Sequence, residues 1–92
     1  MIESFRHEGL RKLYEDGEAR FLPAGEVVKI KRILSYLEAA EKPQALNLPG
    51  YRFHQLKGAY RGFYSVTVTG NNRIIFRFVD GSAVDVDYLD YH

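Results

Sequence analysis

The sequence contains no cysteine. That excludes disulfide staples and thiolate metal sites, and it fits a reducing, cytoplasmic setting. No apolar run approaches the ~20 residues a membrane-spanning helix needs, so no membrane contact is expected. No basic leader followed by an apolar stretch stands at the start, so no export signal is expected. A phosphate-binding glycine loop is missing, because the 8 glycines are scattered at turns. Ser4, Ser35, Ser65 and Ser82 lack the elbow motif of a hydrolase nucleophile. No internal repeat or low-complexity segment is visible.

What remains is 92 residues, enough for one domain (1–92) with one modest core. The net charge of +1 hides an uneven distribution. Residues 1–50 hold eight Lys/Arg and eight Asp/Glu. Residues 51–77 carry Arg52, Lys57, Arg61, Arg73 and Arg77 and no acid. Residues 78–92 carry Asp80, Asp85, Asp87 and Asp90 and no Lys or Arg. Either these charges pair across strands, or the arginines and the 7 tyrosines serve a polyanion whose bases can stack.

Periodicity predicts helices first and strands after. Met1–Phe5 reads as an edge strand. Leu10, Leu13 and Tyr14 line one face of a helix over His7–Asp16, which Gly17 stops. Pro23 suits a first helical position, and Val27, Ile30, Ile33, Leu34 and Leu37 continue at helical spacing to Ala40. Tyr51–Leu56 reads as a strand with Arg52, His54 and Leu56 on one side. Three strands follow, over Phe63–Thr69, Arg73–Val79 and Ser82–Leu89, each alternating with period two.

The alternation also predicts a register. A three-residue loop Gly70-Asn71-Asn72 sets Val68 opposite Ile74, Val66 opposite Phe76 and Tyr64 opposite Phe78. A two-residue Asp80-Gly81 turn would press Asp85 and Asp87 against the core, which is costly. A three-residue loop Val79-Asp80-Gly81 avoids this, placing Phe76 opposite Val84 and Arg73 opposite Asp87. The expectation is an α+β fold, with N-terminal helices on one face of a small antiparallel sheet. The other face is left polar, with Ser65, Thr67, Arg73, Arg77 and Asp87.

His54 and Lys57 lie near that sheet, and the chain closes on Asp90-Tyr91-His92. His7, at the first helix, reads as a surface residue. RNA cleavage needs a base for the 2′-hydroxyl proton, an acid for the leaving 5′-oxygen, and cations for the charge on phosphorus. Histidine suits either proton role because its pKa of ~6.5 lies near working pH. The chemical alternative is a two-histidine, one-carboxylate metal set of His54, Asp90 and His92. No close pair of helical ligands supports it, so no metal or cofactor is expected.

The chain resembles the HigB toxins of bacterial toxin–antitoxin systems, within the RelE/ParE superfamily. The likeness runs from Met1-Ile2-Glu3-Ser4-Phe5 and Gly9-Leu10 through Leu56-Lys57-Gly58, Tyr64-Ser65-Val66-Thr67-Val68 and Asn72-Arg73-Ile74 to Tyr88-Leu89-Asp90-Tyr91-His92. The most specific part is His54-x-x-Lys57-Gly58 joined to a closing Asp-Tyr-His. The resemblance implies a ribosome-dependent endoribonuclease that cuts mRNA in the decoding site of the 70S ribosome. Its implied catalytic residues are His54, Lys57, Asp90, Tyr91 and His92. Asp90 or His92 would be the base, His54 the acid, and Tyr91 a stacking group. Lys57 and Arg73 would meet the RNA phosphate, with Arg61 and Arg77 beside them. The implied partner is a HigA-like helix-turn-helix antitoxin, which binds the operon DNA; the toxin alone does not. RelE-type members have a strongly basic site, whereas this chain has a pI of about 8.0. That fits the HigB branch and implies weak affinity for free RNA. The alternative is a non-catalytic toxin of the same fold, like the ParE inhibitors of DNA gyrase.

Overall fold

Apolar residues at helical spacing bury one stripe of each helix, and period-two strands bury one face of a sheet against those stripes. The computed structural model describes residues 1–90. Helix α1 spans Glu8–Asp16 and α2 spans Val27–Ala39, after a 3-10 turn at Ala24–Glu26. Gly17 ends α1 at φ +69°, a left-handed conformation that suits glycine. The strands are β1 (His54–Gln55), β2 (Tyr64–Thr69), β3 (Asn72–Val79) and β4 (Ser82–Asp90). They form one antiparallel sheet in the order β1-β2-β3-β4. Leu10, Leu13, Ile30, Ile33, Leu34 and Leu37 of the helices meet Val66, Val68, Ile74, Phe76, Ala83 and Val86 of the sheet. The α+β architecture is therefore as expected.

The N-terminal segment makes bridges rather than a full strand. Ile2 pairs in parallel with Ala83 and Phe5 with Val86. Ala83 N–H donates to the Met1 carbonyl at 2.9 Å, and Arg6 N–H donates to the Val86 carbonyl at 2.8 Å. These bonds cover part of the outer edge of β4, which would otherwise offer unpaired backbone groups.

The register differs from the expected one, for a consistent reason. Between β2 and β3, Tyr64 faces Phe76 and Val66 faces Ile74, with a tight Gly70-Asn71 turn and a bulge between Thr67 and Thr69. Between β3 and β4, Val79 faces Ser82, so the connection is the two-residue Asp80-Gly81 turn that side-chain burial argued against. The penalty is avoided farther along. A bulge between Ile75 and Arg77 shifts the ladder, with Asp85 at φ +53°. Ala83 and Val86 reach the core, Val84 faces Arg77, and Arg73 pairs with Leu89 rather than Asp87. The expected six-residue strand at Tyr51–Leu56 is reduced to His54–Gln55, because Arg52 adopts φ +50° and leaves the ladder.

Candidate active site

On the sheet face turned from the helices, one register row crosses all the strands. His54 lies opposite Ser65, Ser65 opposite Ile75, and Ile75 opposite Asp87. The neighbouring row holds Thr67, Arg73 and Leu89. Alternation alone predicts this face to be polar and uncovered. It instead carries a second apolar cluster of Leu56, Phe63 and Ile75, with Tyr60 and Leu89 packed against it. Ser65 is buried beneath it. The cluster forms because the 3-10 turn Gly58–Tyr60 folds back over the sheet. Phe63 N–H donates to the Tyr60 carbonyl at 2.9 Å, and Leu56 N–H to the Phe63 carbonyl at 2.8 Å.

His54 and Lys57 stand at the exposed rim of this cluster. The His54 ring donates from Nδ1 to the Arg52 carbonyl at 2.9 Å. Lys57 sits in extended backbone at the head of the 3-10 turn and has no ion pair among the described residues. Gln55, Leu56, Lys57, Gly58 and Arg61 line an open hollow of about 430 Å³. A second groove of similar size lies between the helices, lined by Leu13, Tyr14, Lys31, Leu34, Ser35 and Glu38. It is on the helical side and holds none of the expected site residues.

Asp90 lies at the end of β4, opposite Asn72. It is ~10 Å along the strand from Asp87, which occupies the register row of His54. Alternation puts it on the face of Tyr88, whose phenol feels its charge. The structure thus places His54 and Lys57 on the β1 side of the sheet and sets Asp90 apart on β4, at the far end. Tyr91 and His92 lie outside the described residues. Among the described residues, no three His, Asp or Glu side chains converge as metal ligands.

The basic segment divides. Arg61 is exposed, and Arg73 is half-buried with a bond from Nη1 to the Gly70 carbonyl at 2.8 Å. Arg77 is ion-paired to Asp85 at 2.7 Å, so for this residue the cross-strand reading of the charge pattern holds. Its guanidinium lies 5.8 Å from the Phe63 ring centre, and that of Arg6 lies at the same 5.8 Å. Arg6 is a cation of this face that periodicity did not single out. Its signal was the N-terminal segment running beside β4, which carries it there. His7 is not the plain surface residue expected. It is half-buried, caps α1 by accepting the Leu10 N–H at Nδ1 (3.2 Å), and packs on Tyr88 at 5.6 Å.

A model of the family described as "RelE-like toxin of type II toxin-antitoxin system HigB" matches residues 3–92. The chain belongs to this family of HigB-like toxins. It is 41% identical over 92 residues, the whole of both chains, to "Endoribonuclease HigB" of Proteus vulgaris. It is 36% identical over 94 residues to "Toxin HigB-1" of Vibrio cholerae serotype O1, covering 100% of this chain and 98% of that one. The fold is similar to a crystal structure of a point mutant of YafQ from E. coli, with a TM-score of 0.60 at 18% identity, covering 95% of this chain and 89% of the other. A HigB-like toxin of a type II system has a protein antitoxin as its partner. The described helices of this one are too short and polar to cross a membrane.

Proposed function

We propose that this HigB-like toxin, as one domain over 1–92, is a ribosome-dependent endoribonuclease that cuts mRNA by metal-independent general acid–base catalysis. The observation that carries the reading is the 41% identity, across the full length of both chains, to a protein named as an endoribonuclease. Exposed His54 and Lys57, three positions apart in the chain on either side of Leu56 of the open-face cluster, suit the proton and charge work such a reaction needs.

In the proposed reaction a base takes the proton of the ribose 2′-hydroxyl; with Asp90 set apart from His54 at the far end of the sheet, that role falls to His92. The 2′-oxygen bonds to phosphorus and the bond to the 5′-oxygen breaks. His54 gives its proton to that leaving oxygen. The products are a 2′,3′-cyclic phosphate and a 5′-hydroxyl. Lys57 and Arg73 hold the extra negative charge on phosphorus, Arg61 and Arg77 contribute to the phosphate contact, and Tyr91 stacks on the substrate. The reaction takes place in the cytoplasm. The ribosome presents the codon, which compensates for the weak free-RNA affinity of a nearly neutral chain. The antitoxin is a HigA-like helix-turn-helix protein, and DNA binding belongs to it.

The test is induction of the toxin in growing cells, following protein synthesis, DNA replication and mRNA integrity together. The reading expects protein synthesis to stop first, with mRNA cut within translated codons. Arrest of replication with intact mRNA would instead mark a gyrase-binding toxin of the ParE kind.

A further inference from the structure

The chain is tied to the sheet on both sides of a kink at Arg52, just ahead of β1. Tyr51 is buried, and its carbonyl accepts the Thr67 N–H at 2.7 Å. His54 rejoins the ladder opposite Ser65. Phe53 is held between them by stacking on Tyr64, with ring centres 5.5 Å apart and planes 6° from parallel. Arg52 absorbs the mismatch at φ +50°, a left-handed conformation uncommon for any residue but glycine. Strain of this kind persists where the surroundings over-determine it, and it clusters at functional sites.

The kink has a chemical consequence. It turns the Arg52 carbonyl onto Nδ1 of His54, at 2.9 Å. A carbonyl oxygen only accepts, so Nδ1 must carry the hydrogen. Two protonation states satisfy this bond: the imidazolium, and the neutral ring protonated at Nδ1. In passing between them the ring gains or loses its proton at Nε2 alone. We infer that Arg52 is a positioning residue whose carbonyl holds His54 in the Nδ1–H form, making Nε2 the atom through which His54 exchanges a proton with RNA. This rests on the role proposed above for His54. It also suits that role, because a ring that has just given its Nε2 proton to the 5′-oxygen is left in the form the carbonyl holds.

The chain carries its own contrast. Nδ1 of His7 accepts the Leu10 N–H at 3.2 Å, so that ring takes its hydrogen at Nε2 when neutral. The two histidines are set in opposite tautomers by backbone groups of opposite polarity.

The experiment is a long-range proton–nitrogen correlation spectrum of the full-length, nitrogen-15-labelled toxin, at a pH where the rings are neutral. His7→Gln and His54→Gln spectra assign the signals. The expected result is a protonated Nδ1 and bare Nε2 for His54, with the reverse for His7. A His54 ring protonated at Nε2, the form free histidine favours, overturns the inference. Arg52→Gly accepts a positive φ and should keep the Nδ1–H form. Arg52→Val does not. It should move His54 toward the Nε2–H form and slow cleavage of ribosome-bound mRNA roughly tenfold or more, with ribosome binding unchanged. Should Arg52→Val fail to fold, the wild-type spectrum still decides. A wild-type tautomer and cleavage rate that both persist in a folded Arg52→Val would also overturn it. Full cleavage by His54→Gln would remove the proton-transfer role while leaving the tautomer assignment intact, so the two failures are distinguishable.

Discussion

The phenol of Tyr88 on β4 donates its hydrogen to the carboxylate of Glu26, 62 positions earlier. The other oxygen of that carboxylate accepts from Nδ2 of Asn72 at 2.8 Å, and Asn72 is the register partner of Asp90. One side chain at the head of α2 therefore ties down the end of the β3–β4 ladder, next to the last part of the candidate site. Glu26→Ala strands a phenol and an amide that are both half-buried, and should lower stability by about 1–3 kcal/mol. Urea unfolding checks this through the midpoint at constant slope. A midpoint equal to that of the wild type contradicts it.

The same bond sets an alkaline limit. Burial first, then the bond to Glu26, then the charges of Glu26 and Asp90 push the Tyr88 hydroxyl well above its ordinary 10.0. A group raised on folding contributes stability that is complete below its unfolded value and is lost as pH climbs toward the folded one. The wild type should therefore lose stability from about pH 10 upward. Tyr14, raised to about 12 chiefly by its bond to Glu38, acts in the same direction, so the test is a difference. Tyr88→Phe should show a shallower decline of its unfolding midpoint over that range. Parallel declines would refute the assignment.

The bulge at Asp85 rescues the tight Asp80-Gly81 turn, and Asp85 pays for it with a positive φ of 53°. Asp85→Gly and Asp85→Val both lose the ion pair to Arg77. Only valine adds strain, so it should be the less stable of the two by about 1–2 kcal/mol. Chemical denaturation of the pair measures this, and equal stabilities would show that the bulge does not need the left-handed turn.

The second apolar cluster separates folding from chemistry on the open face. Ile75 is fully buried there, and Ile75→Ala should cost about 2–5 kcal/mol. His54→Ala, at an exposed position two strands away, should stay within about 0.5 kcal/mol of the wild type. Differential scanning of the two variants distinguishes them, and a large loss in His54→Ala would mean the ring is structural.

Element type was legible because long segments repeat one period. Val27 through Leu37 lie on one helical face, and Ile74, Phe76 and Phe78 on one sheet face. Face parity survived in β2 and β3, where Val66, Val68, Ile74 and Phe76 are inside, but broke in β4, where the bulge brings Ala83 rather than Val84 to the core. The bulge itself did not show, because an odd loop also brings Val86 inside. The left-handed Arg52 and Asp85 carry no glycine to mark them. Ile75 stands between Arg73 and Arg77 in sequence, so the apolar cluster on the open face was read as part of a polar row. For the site, spacing alone offered several chemistries. His54, Lys57 and the closing Asp90-Tyr91-His92 stand out by residue type near one sheet, family resemblance narrows their chemistry, and periodicity says nothing of the backbone carbonyl that orients the imidazole.

The most direct measurement is cleavage of mRNA on purified translating ribosomes by the wild type and by folded His54→Ala and Lys57→Ala variants. The wild type should cut within codons. Each variant should cut about 10²–10³-fold more slowly at unchanged ribosome binding, as expected when a proton donor or a charge-stabilising contact is removed. Wild-type cleavage rates in both variants would place the chemistry elsewhere in the molecule and contradict the account.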